Sequence, residues 1–199
     1  LAVVKADGYG HGAVEAARAA LAGGAAWLGV GTPAEGARLR EEGIRAPILV
    51  MGPALPDDAP AVVDYGLAAA VGDEGFARTL SAAAVRRGRP VAVHLKVDTG
   101  MGRFGVLPEG LGRFWAEAGS LPGLLWEGVF THLATADEPD DGFVREQLDR
   151  FERALALLQS LGWHPDLIHA ANSAAALRFP RSRYTMVRLG IAVYGLYPS

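Results

Sequence analysis

Along the chain, short apolar or β-branched runs alternate with longer stretches of Ala, Leu, Glu and Arg whose apolar positions recur at helical spacing. This rhythm predicts strands at about 2–5, 27–31, 48–52, 67–71, 91–98, 126–132, 167–171 and 186–190. Helices are expected between them, at about 12–21, 33–42, 74–87, 109–118 and 142–161, with a short one after Asn172. In a run such as Ile48-Leu49-Val50-Met51 the apolar residues are continuous rather than alternating, which suits a strand covered on both faces. Repeated βα units argue for a parallel sheet, and about eight of them fit a closed (β/α)8 barrel of the TIM type better than an open, doubly wound sheet. The open alternative also lacks its usual fingerprint, since no predicted strand is followed by a clean G-x-G-x-x-G. The expected fold is therefore α/β, a (β/α)8 barrel forming one domain over residues 1–199.

Composition narrows the partners. Half of the residues are hydrophobic, enough for one sizeable core. The formal net charge of −3 and the lack of any long basic run leave no electrostatic footprint for nucleic acid or an anionic membrane, so a small molecule is the expected partner. No apolar run approaches the roughly 20 residues that span a bilayer. With no cysteine in the chain, disulfides and thiolate metal sites are excluded, which fits a reducing compartment such as the cytoplasm. The sequence opens on Leu1 inside a strand-like run and stops at Ser199 directly after an apolar stretch, so it reads as a piece of a longer protein at both ends.

A barrel of this kind carries its chemistry where strands end and loops begin. The polar residues obey that rule: Lys5 ends the first run, Lys96 and Asp98 the fifth, His132 the sixth, and His169 and Asn172 the seventh, while Arg188 lies in the eighth. Lys5 is followed by a loop rich in glycine, Gly8, Gly10 and Gly12, which allows close backbone approach to a ligand. Desolvation at an apolar mouth frees a neutral lysine amine for Schiff-base chemistry, whereas the plain alternative is a lysine snorkelling to water. Strand alternation puts Lys96 and Asp98 on one side, either as a structural ion pair or as part of a site. Arg103, after a Thr-Gly-Met-Gly turn, can bind a carboxylate or stitch to a neighbour. Asn172 and Ser173 precede an alanine-rich helical start, as capping residues do, and the same arrangement receives phosphate. Arg188 sits among apolar neighbours and needs an acceptor, because a guanidinium keeps its charge. Gly190 and Ile191 offer backbone N–H groups to an anion or simply turn the chain. His132 and His169 are structural or catalytic, and no H-E-x-x-H or comparable spacing points to a metal.

The segment Ala2-Val3-Val4-Lys5-Ala6-Asp7-Gly8-Tyr9-Gly10-His11-Gly12 resembles the cofactor-lysine motif of alanine racemases. His94 to Gly105, Thr131 to Asp137, His169 to Ser173 and Val187 to Gly195 resemble later motifs of that family in the same order, so the similarity covers nearly the whole chain. The resemblance implies a barrel binding pyridoxal 5'-phosphate (PLP) and the interconversion of L- and D-alanine that supplies D-alanine for peptidoglycan. It implies that Lys5 carries the cofactor and acts as acid or base on the D-alanine face. Tyr9, Ser173, Gly190 and Ile191, with Asn172 beside them, would hold the phosphate; Arg188 would face the pyridine nitrogen, supported by His169. By the same resemblance, Arg103 lies near the substrate carboxylate and the phenolic oxygen, His132 orients the opposite base, and Lys96 matches a position that carries a carbamate in many members. The family is a homodimer whose opposite base is a tyrosine of the partner's C-terminal β domain, which this chain lacks. Two other readings share the barrel: a racemase of broader specificity, and a non-catalytic PLP carrier.

Overall fold

The structure, a computed structural model, describes residues 1–198. Seven parallel strands pair in sequential order: β1 (Ala2–Val3), β2 (Leu28–Val30), β3 (Ile48–Val50), β4 (Ala68–Val71), β5 (Val91–Lys96), β6 (Leu124–Phe130) and β7 (Leu167–His169). The expected eighth strand at 186–190 is reduced to one parallel bridge, Leu189 to Ala2. That segment still closes the ring. Arg188 N–H donates to Ala171 O at 2.9 Å, Leu189 N–H to Leu1 O at 2.9 Å, and Val3 N–H to Leu189 O at 2.8 Å. The chain therefore forms the (β/α)8 barrel, with seven regular strands and an irregular eighth.

Every residue of β2, β3 and β4 is buried, as continuous apolar runs require when helices cover one face and the barrel interior the other. The outer layer comprises α2 (Ala13–Ala22), α3 (Pro33–Glu41), α4 (Ala59–Asp64), α5 (Glu74–Arg87), α6 (Leu111–Ala118), α7 (Gly142–Ser160) and α8 (Ser173–Arg178). Side chains fix several starts: Thr32 and Glu35 make a reciprocal capping box on α3, and the carboxylate of Asp73 accepts the Phe76 amide at 2.8 Å to cap α5. Helix α4 is absent from the sequence expectation because Pro56, Asp57, Asp58 and Pro60 read as loop. Proline is nonetheless at home in a first helical turn, where no N–H is needed. Except for β4, the strands stop one or two residues short of their expected ends, and Lys5, Asp98, His132 and Asn172 lie just beyond the last laddered residues. No helix among the described residues is long and apolar enough to cross a membrane.

Two irregularities shape the site. Between β5 and β6 the register jumps from Val93↔Trp126 to His94↔Gly128, so Glu127 is the extra, bulged residue. At the start of the chain, the residues after Val4 form α1 (Lys5–Tyr9), a single turn with the backbone of Ala6, Asp7, Gly8 and Tyr9 in the left-handed region, φ 51°, 51°, 63° and 54°. Lys5 thus opens a left-handed turn instead of ending a strand. Three of those residues carry a Cβ, at a cost of roughly 1–2 kcal/mol each.

Candidate active site

A cavity of about 510 Å³ opens at the C-terminal ends of the strands. It is lined by Lys5 and Tyr9 from α1, Arg103 after β5, His132 after β6, Asn172 and Ser173 at α8, and Arg188, Gly190 and Ile191 from the closing segment. The two other candidates, Lys96 and His169, stand behind that lining, nearly or fully buried. All the candidates therefore converge on one end of the barrel, although they come from five different βα loops. Met51, Gly52 and Pro53, which carry no motif that singled them out, and Asp137, at the end of the Thr131–Asp137 motif, also line it.

One side of the cavity is a cluster of hydrogen-bond donors. The Ser173 hydroxyl accepts the amides of Gly190 at 2.9 Å and Ala192 at 3.3 Å. Asn172 caps α8 by accepting the Ala175 amide at 2.9 Å and donates to Leu133 O at 3.3 Å. Capping and facing the cavity are thus combined at Asn172, while Ser173 is the first helical residue. A Cβ at Gly190 would lie 2.6 Å from the Tyr9 hydroxyl, so only glycine lets the phenol reach this corner. Burial raises the Tyr9 phenol above its ordinary value, which keeps it a donor at neutral pH.

Arg188 forms the floor. Its Nη2 donates to Thr131 O at 2.8 Å and Ala170 O at 3.1 Å, and Nη1 donates to His169 Nδ1 at 3.0 Å. These are the acceptors that a charge in an apolar segment demanded. His132 Nδ1 lies 3.4 Å from the same guanidinium. Burial, then Arg103, pushes Arg188 down to about 9, still charged at neutral pH. Because a guanidinium only donates, His169 Nδ1 is bare and its proton sits on Nε2, which donates to His94 Nδ1 at 2.8 Å. The proton of His94 then lies on Nε2, 3.8 Å from the carboxylate of the bulged Glu127. Burial, then the Arg188 charge, holds His169 well below its ordinary value and His132 down to about 3.

An acid dependence follows from these two imidazoles. From about pH 6.5 down to about 3 the unfolded chain takes up protons at positions the fold keeps neutral, so stability falls as pH falls through that window. Ring-nitrogen NMR should show His169 protonated on Nε2 only, unchanged between pH 8 and 5, while urea unfolding at matched pH values shows the decline. An imidazolium signal from His169 at pH 6 would contradict the network.

Lys96 and Asp98 are not an ion pair, contrary to the simpler of the two sequence readings. Asp98 instead organises its own loop: its carboxylate accepts the amides of Gly100 at 2.9 Å, Gly102 at 3.1 Å and Arg103 at 3.2 Å. Burial works to raise its carboxyl, and the Gly100 and Gly102 amides, with Lys96, outweigh it and hold the group low. The lysine is 1% exposed, donates to Val97 O at 3.0 Å, and lies 5.7 and 5.5 Å from the Phe104 and Phe130 ring centroids. Desolvation by that enclosure, eased by Asp98 and reinforced by Arg188, brings the Lys96 ammonium down to about 7.

Gln147 was not a sequence candidate. Buried in α7, it accepts the Ala134 amide at 2.8 Å and donates to His132 O at 3.0 Å and Thr99 Oγ1 at 3.3 Å. It thereby holds the loop carrying His132. Its signal was a polar residue on the buried stripe Val144, Gln147, Leu148, Phe151, where an amide must have partners waiting.

The family described as "Alanine racemase, N-terminal domain" matches residues 1–198. The chain is 52% identical over 199 residues to an alanine racemase of Symbiobacterium thermophilum, covering 100% of this chain and 53% of that protein. It is 47% identical to one of Nostoc sp., covering 100% of this chain and 52% of that protein. Among solved structures, the alanine racemase of Clostridium difficile 630 in complex with cycloserine superposes with TM-score 0.96 at 36% identity, over 100% of this chain and 55% of that one. The Bacillus anthracis alanine racemase with bound L-Ala-P gives TM-score 0.93 at 39% identity, over 100% and 51%. The chain spans about half the length of the curated relatives it matches.

Proposed function

The chain belongs to the alanine racemase family, and from that premise we propose that it is the cofactor-binding barrel of an enzyme that interconverts L- and D-alanine with PLP. The observation that carries this reading is the meeting of Lys5, Tyr9, Ser173, Gly190 and Arg188 around one cavity at the strand ends. The residues fit the cofactor part by part. An amine suits its aldehyde; the hydroxyls of Tyr9 and Ser173 with the amides of Gly190 and Ile191 suit its phosphate; a buried guanidinium suits its ring nitrogen. Among the described lining residues, Lys5, Arg103 and Arg188 face a single acid, Asp137, so anionic ligands are drawn in.

Once bound, PLP supplies a ring that withdraws electrons from Cα and acidifies its hydrogen. Lys5 takes or returns that proton from one face. Arg188 would give the ring nitrogen a hydrogen bond without surrendering a proton, which would restrain electron withdrawal and favour return of the proton to Cα. Arg103 reaches the substrate carboxylate. Inversion also needs an acid or base on the other face. His132, at about 3, is too weak a base to take that role at neutral pH. The resemblance to alanine racemases implies that a tyrosine of the partner's C-terminal β domain fills it, in a cytoplasmic homodimer making D-alanine for peptidoglycan.

Circular dichroism of an L-alanine pool incubated with the full-length parent tests the reading, with loss of optical activity as the expected result. Comparable turnover of several other amino acids would make it a broad-specificity racemase. PLP on Lys5 without turnover of any would make it a carrier. Lys96 adds a second test: an amine at about 7 is neutral enough to add carbon dioxide, losing a proton and becoming an anion able to pair with Arg103. In labelled bicarbonate, a carbamate carbon resonance should appear and be absent from Lys96→Met. An unmodified Lys96 by mass at ample bicarbonate would refute it.

A further inference from the structure

Helix α3 begins against the loop that carries Lys5, and its first-turn Glu35 has a double engagement. Within its own turn, Oε2 accepts the Thr32 amide at 3.3 Å while Thr32 Oγ1 accepts the Glu35 amide at 3.3 Å. Across to the chain start, Oε1 accepts the Ala6 amide at 2.9 Å, and Oε2 also accepts the Gly31 amide at 2.6 Å. A Cβ at Gly31 would lie 3.3 Å from Glu35 Oε2 and 3.7 Å from Lys5 Cβ, so that glycine leaves the passage through which the carboxylate reaches the turn. Three backbone N–H groups shared by two oxygens call for a carboxylate, since a carboxamide offers one oxygen and confronts the remaining N–H groups with its own.

Ala6 is the first left-handed residue after Lys5. The hand of this turn decides where a residue four positions on from Lys5 points, and here it sends Tyr9 against Gly190 while Lys5 faces the same cavity. Left to local preference, three residues with a Cβ would leave the left-handed region and separate the pair. We infer that Glu35 is a positioning residue: by accepting the Ala6 amide it holds the left-handed turn that directs Lys5 and Tyr9 into one cavity. The inference rests on Lys5 being the cofactor lysine. Arg38, one helical turn on, adds an ion pair to Asp7 at 3.0 Å, exposed like the Ala6 bond and screened by solvent.

Glu35→Gln in the full-length parent is the test, with Thr32→Ala as its control. Thr32→Ala removes the helix cap and leaves the bond to Ala6 in place. Glu35→Gln should raise the PLP dissociation constant about tenfold, slow borohydride trapping at Lys5, and speed amide exchange at Ala6 and Gly8 about tenfold, as losing one charged acceptor does. Thr32→Ala should lower stability yet leave PLP affinity and Ala6 exchange within about twofold. The inference is overturned if Glu35→Gln keeps wild-type affinity and exchange, or if Thr32→Ala reproduces the changes and reduces Glu35 to a capping residue. Should the wild type carry no PLP on Lys5, the cofactor reading fails, and Ala6 exchange still decides whether Glu35 holds the turn.

Discussion

Replacing Lys5 by alanine should abolish covalent attachment of PLP and slow racemisation by at least about 10⁴-fold, because one side chain both holds the cofactor and moves the proton. The chain has two lysines, Lys5 and Lys96, so the result discriminates between two amines. Burial brings the Lys96 ammonium down to about 7, which by itself recommends it as a neutral amine. Geometry decides the other way: Lys96 is 1% exposed and bonded to a carbonyl, whereas Lys5 is half-buried and lines the cavity. Borohydride reduction followed by peptide mapping checks the assignment. A pyridoxyl group on Lys96, in the wild type or in Lys5→Ala, would overturn it.

Produced by themselves, residues 1–199 should racemise alanine about 10²- to 10⁴-fold more slowly than the full-length parent at equal PLP occupancy. Proton removal and return by Lys5 on one face restores the starting enantiomer. The imidazole nearest the cavity, His132, is held at about 3 by burial and then Arg188, and it cannot substitute for the missing base. Following the alanine pool by circular dichroism for both proteins gives the comparison. Parent-like turnover by the shorter chain would place the second base within these residues.

The barrel was legible because strands buried on both faces announce themselves as unbroken apolar runs, as at Ile48–Val50. The site was legible because ionisable residues cluster where those runs end. Backbone conformation was not legible to the same degree. Nothing in Lys5-Ala6-Asp7-Gly8-Tyr9 except one glycine hints at a left-handed turn, since its bonding partners lie elsewhere in the chain: Glu35 accepts the Ala6 amide, and Asp7 accepts the Ala13 amide and pairs with Arg38. The eighth strand looked equivalent to the others, because Met186 to Gly190 is as apolar as its counterparts; its single bridge depends on register with a two-residue β1. Asp98 misled for a related reason. Alternation correctly set it on the side of Lys96, but the loop amides of Gly100 and Gly102 claim its carboxylate first.

One seam of the ring rests on a single bridge, Leu189 to Ala2, and the cavity straddles it. Lys5 and Tyr9 belong to one lip; Arg188, Gly190 and Ile191 belong to the other. Local opening of a fold starts where the fewest bonds must break, and a seam with a single bridge is such a place. A ligand that is tethered on one lip and gripped by the other acts as a rivet across the joint. Filling the cavity and keeping the barrel shut are then linked equilibria, and ligand present well above its dissociation constant adds to the cohesion of that junction.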